Sequence, residues 1–455
     1  MATIKPFRGV RFNAAKISDL SQVVSQPYDR VRYGLQAKYY EQNPYNIVRI
    51  IKGIEQPGDV AGEPEGPNVY TRARAYYELW HVEQILERET RPAIYVYQQT
   101  FEVEGQTMTR KGFVTALELS GFDEGVVLPH ERTHAGPKVD RLRLLRTLQV
   151  NMGQIFMLYP DAGNTISAML DAAIAGRKAD VDVVEMFEKD VRQQMWVIDD
   201  EELIRAVQSQ MAPKRNLIIA DGHHRYETAL NYRDDMRRAY PGAPANAAFN
   251  YRMVTLVSMQ DPGLVILPTH REIFGPPQAG SPQAGSPQAT GVELLQRAAP
   301  HFEITPATDL GDCLAKMKTQ AIKHAFGLYA PNGYHVLALK RPELIEHLIT
   351  FDRSPDWKSL DVSILHQILL EQIVGLPAEA LEHQSIVRYH RDPSLAVGNV
   401  DAGKGNMVFF LNPTPMTQVQ ACAEQGEKMP PKSTDFYPKV ITGLTMMPVP
   451  AGERI

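Results

Sequence analysis

The chain has 455 residues, 44% of them apolar and 22% charged, which is ordinary globular composition and leaves no room for wholesale disorder. Its 48 basic residues are outnumbered by 53 acidic ones, for a net charge of −5, so a nucleic-acid partner is not expected. Cys313 and Cys422 stand apart from any CxxC pair, which excludes a disulfide framework and leaves both thiols to pack as small apolar groups.

The start, Met1-Ala2-Thr3-Ile4-Lys5-Pro6, has no apolar run of the kind a signal peptide needs. No stretch reaches the ~20 apolar residues of a membrane span, so the expected setting is the cytoplasm, with no membrane partner. Residues 56–68 hold three prolines and three glycines and read as a surface loop. Residues 93–97, AIYVY, are β-branched and aromatic and predict a strand. It leads through Glu104-Gly105 to 111–117, a hairpin partner. A helix is expected over 140–150, with Leu142, Leu145 and Leu148 along one side. Residues 216–220 read as a short apolar strand, with a helical pattern from Gly222 to about Arg238.

Further strands are expected at 253–259 and 407–411, with a hairpin formed by 325–330 and 334–339 around Pro331-Asn332-Gly333. Residues 361–374 predict a helix with Asp361 as its cap. Between these lies PQAGSPQAGSPQAT at 277–290, which has no large apolar side chain and cannot bury a core. The fold class is α+β, a mixed sheet with surrounding helices. There is no regular βαβα alternation, no GxGxxG and no GxxxxGK[ST]. The expected division is a catalytic domain over 1–270, a flexible linker over 275–290, and a C-terminal α+β region over 291–455.

The run Asp221-Gly222-His223-His224-Arg225-Tyr226 carries the densest chemistry. Gly222 permits a tight turn between the strand and the helix. The polar residues then fall on the first helical turn, where open N–H groups and the helix dipole favour an anion. His223, His224 and Arg225 add donors suited to phosphate, and Asp221 could hold Mg²⁺ or accept a proton. The plainer reading makes Asp221 only a helix cap.

A second polar segment, His130-Glu131-Arg132-Thr133-His134, continues through Gly136-Pro137-Lys138 to Asp140-Arg141. It matches HExxH, but Pro129 and Gly136-Pro137 leave little room for the helix such a zinc site needs. A phosphate and substrate loop fits better, with Glu131 as general base and Lys138 and Arg141 on phosphates. Early in the chain, Ser25-Gln26-Pro27-Tyr28-Asp29-Arg30 forms a polar turn. Pro268-Thr269-His270-Arg271 follows a short apolar stretch. Late in the chain, Pro430-Pro431-Lys432-Ser433-Thr434 precedes Phe436-Tyr437-Pro438-Lys439, a stiff loop that could hold a lysine against phosphate.

Taken in order, Pro27-Tyr28-Asp29, His130-Glu131, the 221–225 run and the late Pro-Pro-Lys-Ser-Thr segment resemble the family catalogued as domain of unknown function 1015, nearly end to end. More distantly, Gly222-His223-His224-Arg225 resembles the nucleotide-contacting turn of the ParB/sulfiredoxin fold. Sulfiredoxins carry a cysteine where this chain has His223, and ParB proteins carry a more basic run and chain. The Asp-Gly-His-x-Arg run of the free serine kinase is matched position by position by Asp221, Gly222, His223 and Arg225.

The resemblance implies a ParB/sulfiredoxin-like nucleotide-binding core within 1–270 and a kinase using ATP or ADP with Mg²⁺ on a small hydroxyl compound, L-serine first. Asp221, His223 and Glu131 would be catalytic, with Asp221 also on the metal. Gly222, His224, Arg225, Lys138, Arg141, Lys432, Ser433 and Thr434 would hold the nucleotide. His130, Tyr28 and Asp29 would meet the substrate. A metal-dependent hydrolase built on His130, Glu131 and His134, and a non-catalytic nucleotide-binding regulator, are the alternatives. The oligomeric state is left open.

Overall fold

After a short first strand, β1 (Ile4–Lys5), the hairpin expected near residues 93–117 forms from β2 (Ile94–Val103) and β3 (Gln106–Glu118). Its two turn residues, Glu104 and Gly105, both have positive φ, 50° and 75°. That backbone twist matches the twist of the flanking strands, which is why such turns close hairpins. Strands β4 (Val127–Leu128), β5 (Ile155–Tyr159), β6 (Val181–Val184), β7 (Val191–Ile198), β8 (Leu217–Asp221) and β9 (Tyr251–Ser258) complete a nine-stranded sheet. Its order is β4-β8-β5-β9-β3-β2-β7-β6, with β1 along β3. The β4/β8 and β5/β9 pairs are parallel, so the sheet is mixed. Strands β5 and β9 are buried along their whole length, which suits the apolar run of β5 and most of β9.

The structure is a computed structural model that describes residues 1–60, 65–131, 135–274, 291–382 and 385–455. The repeat at 277–290, the linker expected at 275–290, part of the 56–68 loop, and Arg132, Thr133 and His134 lie outside the described residues. Among the described residues no helix is long and apolar enough to cross a membrane.

Three helices frame the site on this sheet. Helix α1 (Val69–Val82) starts at Asn68, whose side chain accepts from the Tyr70 and Thr71 N–H groups while Thr71 bonds back to the Asn68 N–H, a reciprocal capping box. Helix α2 (Ala135–Leu148) begins ahead of the expected 140 and packs on both α1 and α3 (His223–Ala239). One apolar cluster joins Phe113, Ile155, Ile219 and Leu256 to Tyr226 and Ala229 of α3. Another joins Trp80 of α1 and Leu144 and Leu148 of α2 to Val10 and Met446.

The chain divides into two units. The first takes Met1–Pro129, the chain from α2 to Val265, and Pro438–Ile455; the second takes Ile266–Tyr437 and the short stretch with His130 and Glu131. The sequence reading puts all of 291–455 in one C-terminal region, but the last stretch returns to the first unit. Its buried Ile441, Leu444, Met446 and Val449 give the reason, since they supply apolar surface to that unit. Backbone pairing fixes the return: Met446 bridges Val10, Thr442 bridges Ser25, and Met447-Pro448 pairs with Val150-Asn151.

The second unit holds a six-stranded antiparallel sheet of β10 (His270–Ile273), β11 (Phe302–Ala307), β12 (Ala325–Ala330), β13 (Gly333–Leu339), β14 (Val387–His390) and β15 (Met407–Phe410). The order is β11-β13-β12-β15-β10-β14. The expected hairpin around Pro331-Asn332-Gly333 is β12/β13. The helix expected at 361–374 begins as an α-turn, Asp361–Ile364, and continues as a π-helix, Leu365–Val374. Asp361 does not cap it; its carboxylate pairs with His324 Nδ1 at 2.7 Å. Both cysteines are buried free thiols, and burial pushes Cys313 up to about 11 and Cys422 up to about 12.

Candidate active site

The site begins with an irregularity at the end of β8. Pairing with β5 runs Ile219 to Met157 and then Asp221 to Phe156, leaving Ala220 as an extra residue. Such a bulge re-aims the side chains that follow it. Gly222 comes next, with φ 101° and ψ 29°, and is the N-cap of α3. A Cβ there would lie 2.9 Å from Arg225 Nε, so glycine is required both by the left-handed backbone and by the approach of the guanidinium. Gly222 supplies no side-chain cap to α3, and Asp221 does not act as one.

Asp221 instead sits between two cations. One carboxylate oxygen accepts from Arg225 and the other from Lys439 Nζ at 3.2 Å. Burial alone would raise the Asp221 carboxyl, but the charges of Lys439 and then Arg225 outweigh it and hold the group well below the usual carboxylate range. Asp221 is therefore an anion at neutral pH. Arg225 is oriented further by donating from Nη1 to the Gln154 carbonyl at 2.5 Å.

Lys439 closes the late stiff loop without a role assigned from the sequence, and a second layer holds it in place. Arg110 donates to the Pro438 carbonyl at 2.6 Å, and Gln99 Nε2 donates to the Lys439 carbonyl at 3.0 Å. Gln99 also donates to Gln193 Oε1 at 2.9 Å, and Arg110 lies over the Phe156 ring at 4.3 Å. Arg110 is fully buried, which lowers its guanidinium to about 10 and still leaves it charged at neutral pH. This network fixes the Lys439 backbone, so its ammonium is presented to Asp221 with little freedom left to lose.

Beside the turn lies a cavity of about 60 Å³ lined by Tyr28, Arg141, Arg225, Arg252 and Thr228, with hydrocarbon from Ile51, Leu144 and Leu145. Two expected site residues, Tyr28 and Arg141, thus meet Arg225, and the Arg141 guanidinium lies 4.1 Å from the centre of the Tyr28 ring. Burial first, and Asp29 next, raise the Tyr28 phenol, so it stays neutral. Asp29 itself is exposed. Arg141 pairs with Asp140 at 2.5 Å and donates to the Ile51 carbonyl at 2.8 Å. Lys138 pairs with Glu227 of α3 at 2.5 Å, which directs its charge to that carboxylate. His223 is buried and His224 half-buried on the first turn of α3.

The remaining expected residues belong to the second unit. His130 is fully buried with Nε2 3.0 Å from Thr434 Oγ1, and Glu131 beside it is half-buried. Ser433 donates to the Pro430 carbonyl at 2.6 Å, closing its own turn, while Lys432 is exposed with φ 58°. Arg271 of the Pro-Thr-His-Arg segment is buried and donates to the Lys432 carbonyl at 3.0 Å. For a metal, Asp221 offers one carboxylate whose oxygens are both engaged by cations. Among the described residues no group of three or more His, Cys, Asp or Glu could hold an ion, and the zinc reading's His134 is outside them.

These features define a mixed α/β protein with a strand–glycine–helix turn that presents an ionised aspartate between an arginine and a lysine. Residues 4–363 match the family model described as "Protein of unknown function (DUF1015)", and the chain belongs to that family. No curated protein matches it significantly. Among solved structures it is similar to a conserved hypothetical protein from Pyrococcus furiosus, 13% identical with a TM-score of 0.31, over 69% of this chain and 89% of that one. It is also similar to a free serine kinase in complex with AMP, 12% identical with a TM-score of 0.34, over 72% of this chain and 90% of that one. A third is SbnI with a C-terminal truncation from Staphylococcus aureus, 10% identical with a TM-score of 0.34, over 74% and 87%.

Proposed function

We propose that this protein transfers a phosphoryl group from ATP or ADP to the hydroxyl of a small molecule, L-serine first, on a ParB/sulfiredoxin-like core. The observation that carries the reading is the ionised Asp221 held between Arg225 and Lys439 at the start of α3. Phosphoryl transfer needs positioned positive charge more than covalent chemistry, and a helix start with an arginine and a lysine supplies it. Arg225, Lys439 and His224 meet the phosphates in this reading, and Asp221 keeps the two cations oriented. The hydroxyl proton passes to a general base, the role the sequence assigns to Glu131, as the new O–P bond forms and the bond to the departing AMP or ADP breaks. Tyr28, with Asp29, contacts the acceptor in this reading. Mg²⁺ fits as an ion carried mainly by the nucleotide phosphates, because Asp221 is a single carboxylate already engaged by cations.

The direct test incubates purified protein with L-serine, Mg²⁺ and either nucleotide, and follows phosphoserine by phosphorus NMR. Phosphoserine from one of the two is expected. No phosphorylated product from any hydroxy amino acid with either nucleotide would refute the kinase reading, and tight nucleotide binding without turnover would turn it into a regulator. Asp221→Asn should lower turnover by about 10²-fold or more, the scale of a lost electrostatic element. Glu131→Gln should cost a similar factor if Glu131 is the base, and full activity in that variant removes it from the role.

A further inference from the structure

The cavity beside the turn has an unbalanced charge. Of the three guanidinium groups lining it, Arg141 faces Asp140 and Arg225 faces Asp221. Arg252, the second residue of β9, faces no carboxylate among the described residues. It donates from Nη2 to the Gly153 carbonyl at 2.6 Å. Arg252 is 5% exposed, and its Nε has no hydrogen-bond partner. Burial, with a smaller push from the charge of Arg225, lowers this guanidinium to about 9, which still leaves it a cation at neutral pH. Thr228 of α3 lines the same cavity, is 2% exposed, and its hydroxyl also lacks a partner. Buried polar groups are nearly always satisfied, and a buried cation without a counter-charge is costly, so both point to a ligand.

We propose that this cavity is a subsite for the carboxylate of a small monoanionic acid with a short hydrocarbon body, held by Arg252 and Thr228. Arg252 is the guanidinium of this lining that faces no carboxylate among the described residues, and a single carboxylate is enough to pair it. A planar carboxylate matches the fork of a guanidinium. The same lining includes Ile51, Leu144 and Leu145, which solvate a second charge poorly and cover methylene groups well. A volume of about 60 Å³ holds a carboxylate and little more, so the rest of the acid extends toward the opening. The assignment rests on the reading of the 221–225 turn as a ligand site and narrows its acceptor from L-serine toward hydroxy acids with an apolar side. It is tested by binding without nucleotide, so its failure is distinguishable from a failure of phosphoryl transfer.

The experiment titrates the full chain, without nucleotide, with butanoate, butanamide and inorganic phosphate by calorimetry and ligand-detected NMR. Butanoate should bind at least about tenfold more tightly than butanamide, the factor expected of a charge-assisted hydrogen bond. Arg252→Met should remove that preference, with near-ultraviolet circular dichroism checking the fold. Thr228→Val should weaken butanoate a few-fold and Thr228→Ser should restore it, which keeps the test standing if Arg252→Met fails to fold. Equal binding of butanoate and butanamide, binding of neither, or unchanged butanoate affinity in a folded Arg252→Met or in Thr228→Val would overturn the proposal. Phosphate binding that outcompetes butanoate and depends on Arg252 would also overturn it, in favour of a phosphate subsite. Butanoate binding that depends on Arg252 in a protein without kinase activity would leave the subsite standing and remove the kinase reading.

Discussion

The turn at 221–225 and the turn at 430–434 look alike as sequences, each a compact polar run with a basic residue beside structure-setting Gly or Pro. In the first, Gly222 yields its conformation to the turn and the charged groups remain engaged with one another as side chains, Asp221 with Arg225 and Lys439. In the second, the polar groups are used on the local structure: Ser433 bonds the Pro430 carbonyl, Thr434 meets His130, and the Lys432 carbonyl accepts from Arg271. The difference teaches that a polar run becomes a site when its backbone needs are met by glycine geometry, and becomes scaffold when its own hydroxyls must meet them. Lys439, seven residues beyond Lys432, is the lysine that reaches an anionic group.

The largest test of this contrast is Asp221→Asn. It leaves Arg225 and Lys439 partly buried with no anion between them, and should cost about 3 kcal/mol of unfolding free energy in urea melts. A loss under ~1 kcal/mol would mean the three charges are not coupled. The same group sets a pH dependence. Its folded carboxyl lies below the unfolded reference of about 3.9, so its contribution is complete above that reference and is lost as pH falls through the lower folded value. Stability should therefore fall on acidification below about pH 4, and the fall should be shallower in Asp221→Asn.

Gly222→Ala comes next, with an expected cost of about 1–3 kcal/mol from a strained left-handed residue, together with displacement of Arg225. Unchanged thermal stability would show that the turn tolerates a side chain. In the scaffold turn, Ser433→Ala should cost about 1 kcal/mol through one lost hydrogen bond and leave nucleotide affinity unaltered. Weakened nucleotide binding would erase the distinction between the turns. The smallest effect is assigned to Lys432→Ala, which should melt like the wild type; a Lys432→Ala defect equal to that of Lys439→Met would reverse the assignment of the two lysines.

Much of this was legible in the chain. The β2/β3 hairpin follows from the β-branched and aromatic run before Glu104-Gly105, and the β12/β13 hairpin from the Pro331-Asn332-Gly333 turn, because local backbone preference decides them. The strand–Gly222–helix turn was legible for the same reason. Lys439 was not, since its contact with Asp221 spans 218 residues and depends on how the C-terminal stretch returns to the first unit. Arg252 precedes the strand expected at 253–259 and in the structure lies within β9, and nothing local says that its guanidinium meets a cavity instead of solvent. The bulge at Ala220 depends on β5 pairing and has no local signal either.

The return of Pro438–Ile455 to the first unit also has a consequence for biosynthesis. When Asp221 is added to the growing chain, 218 residues must still follow before Lys439 exists. At roughly 5–20 residues per second, that is about 10–40 s during which the nascent chain holds Asp221 and Arg225 without their third charge. The charge cluster is thus assembled only once the stretch that carries Lys439 has been made, and a chain stopped before it cannot complete the cluster.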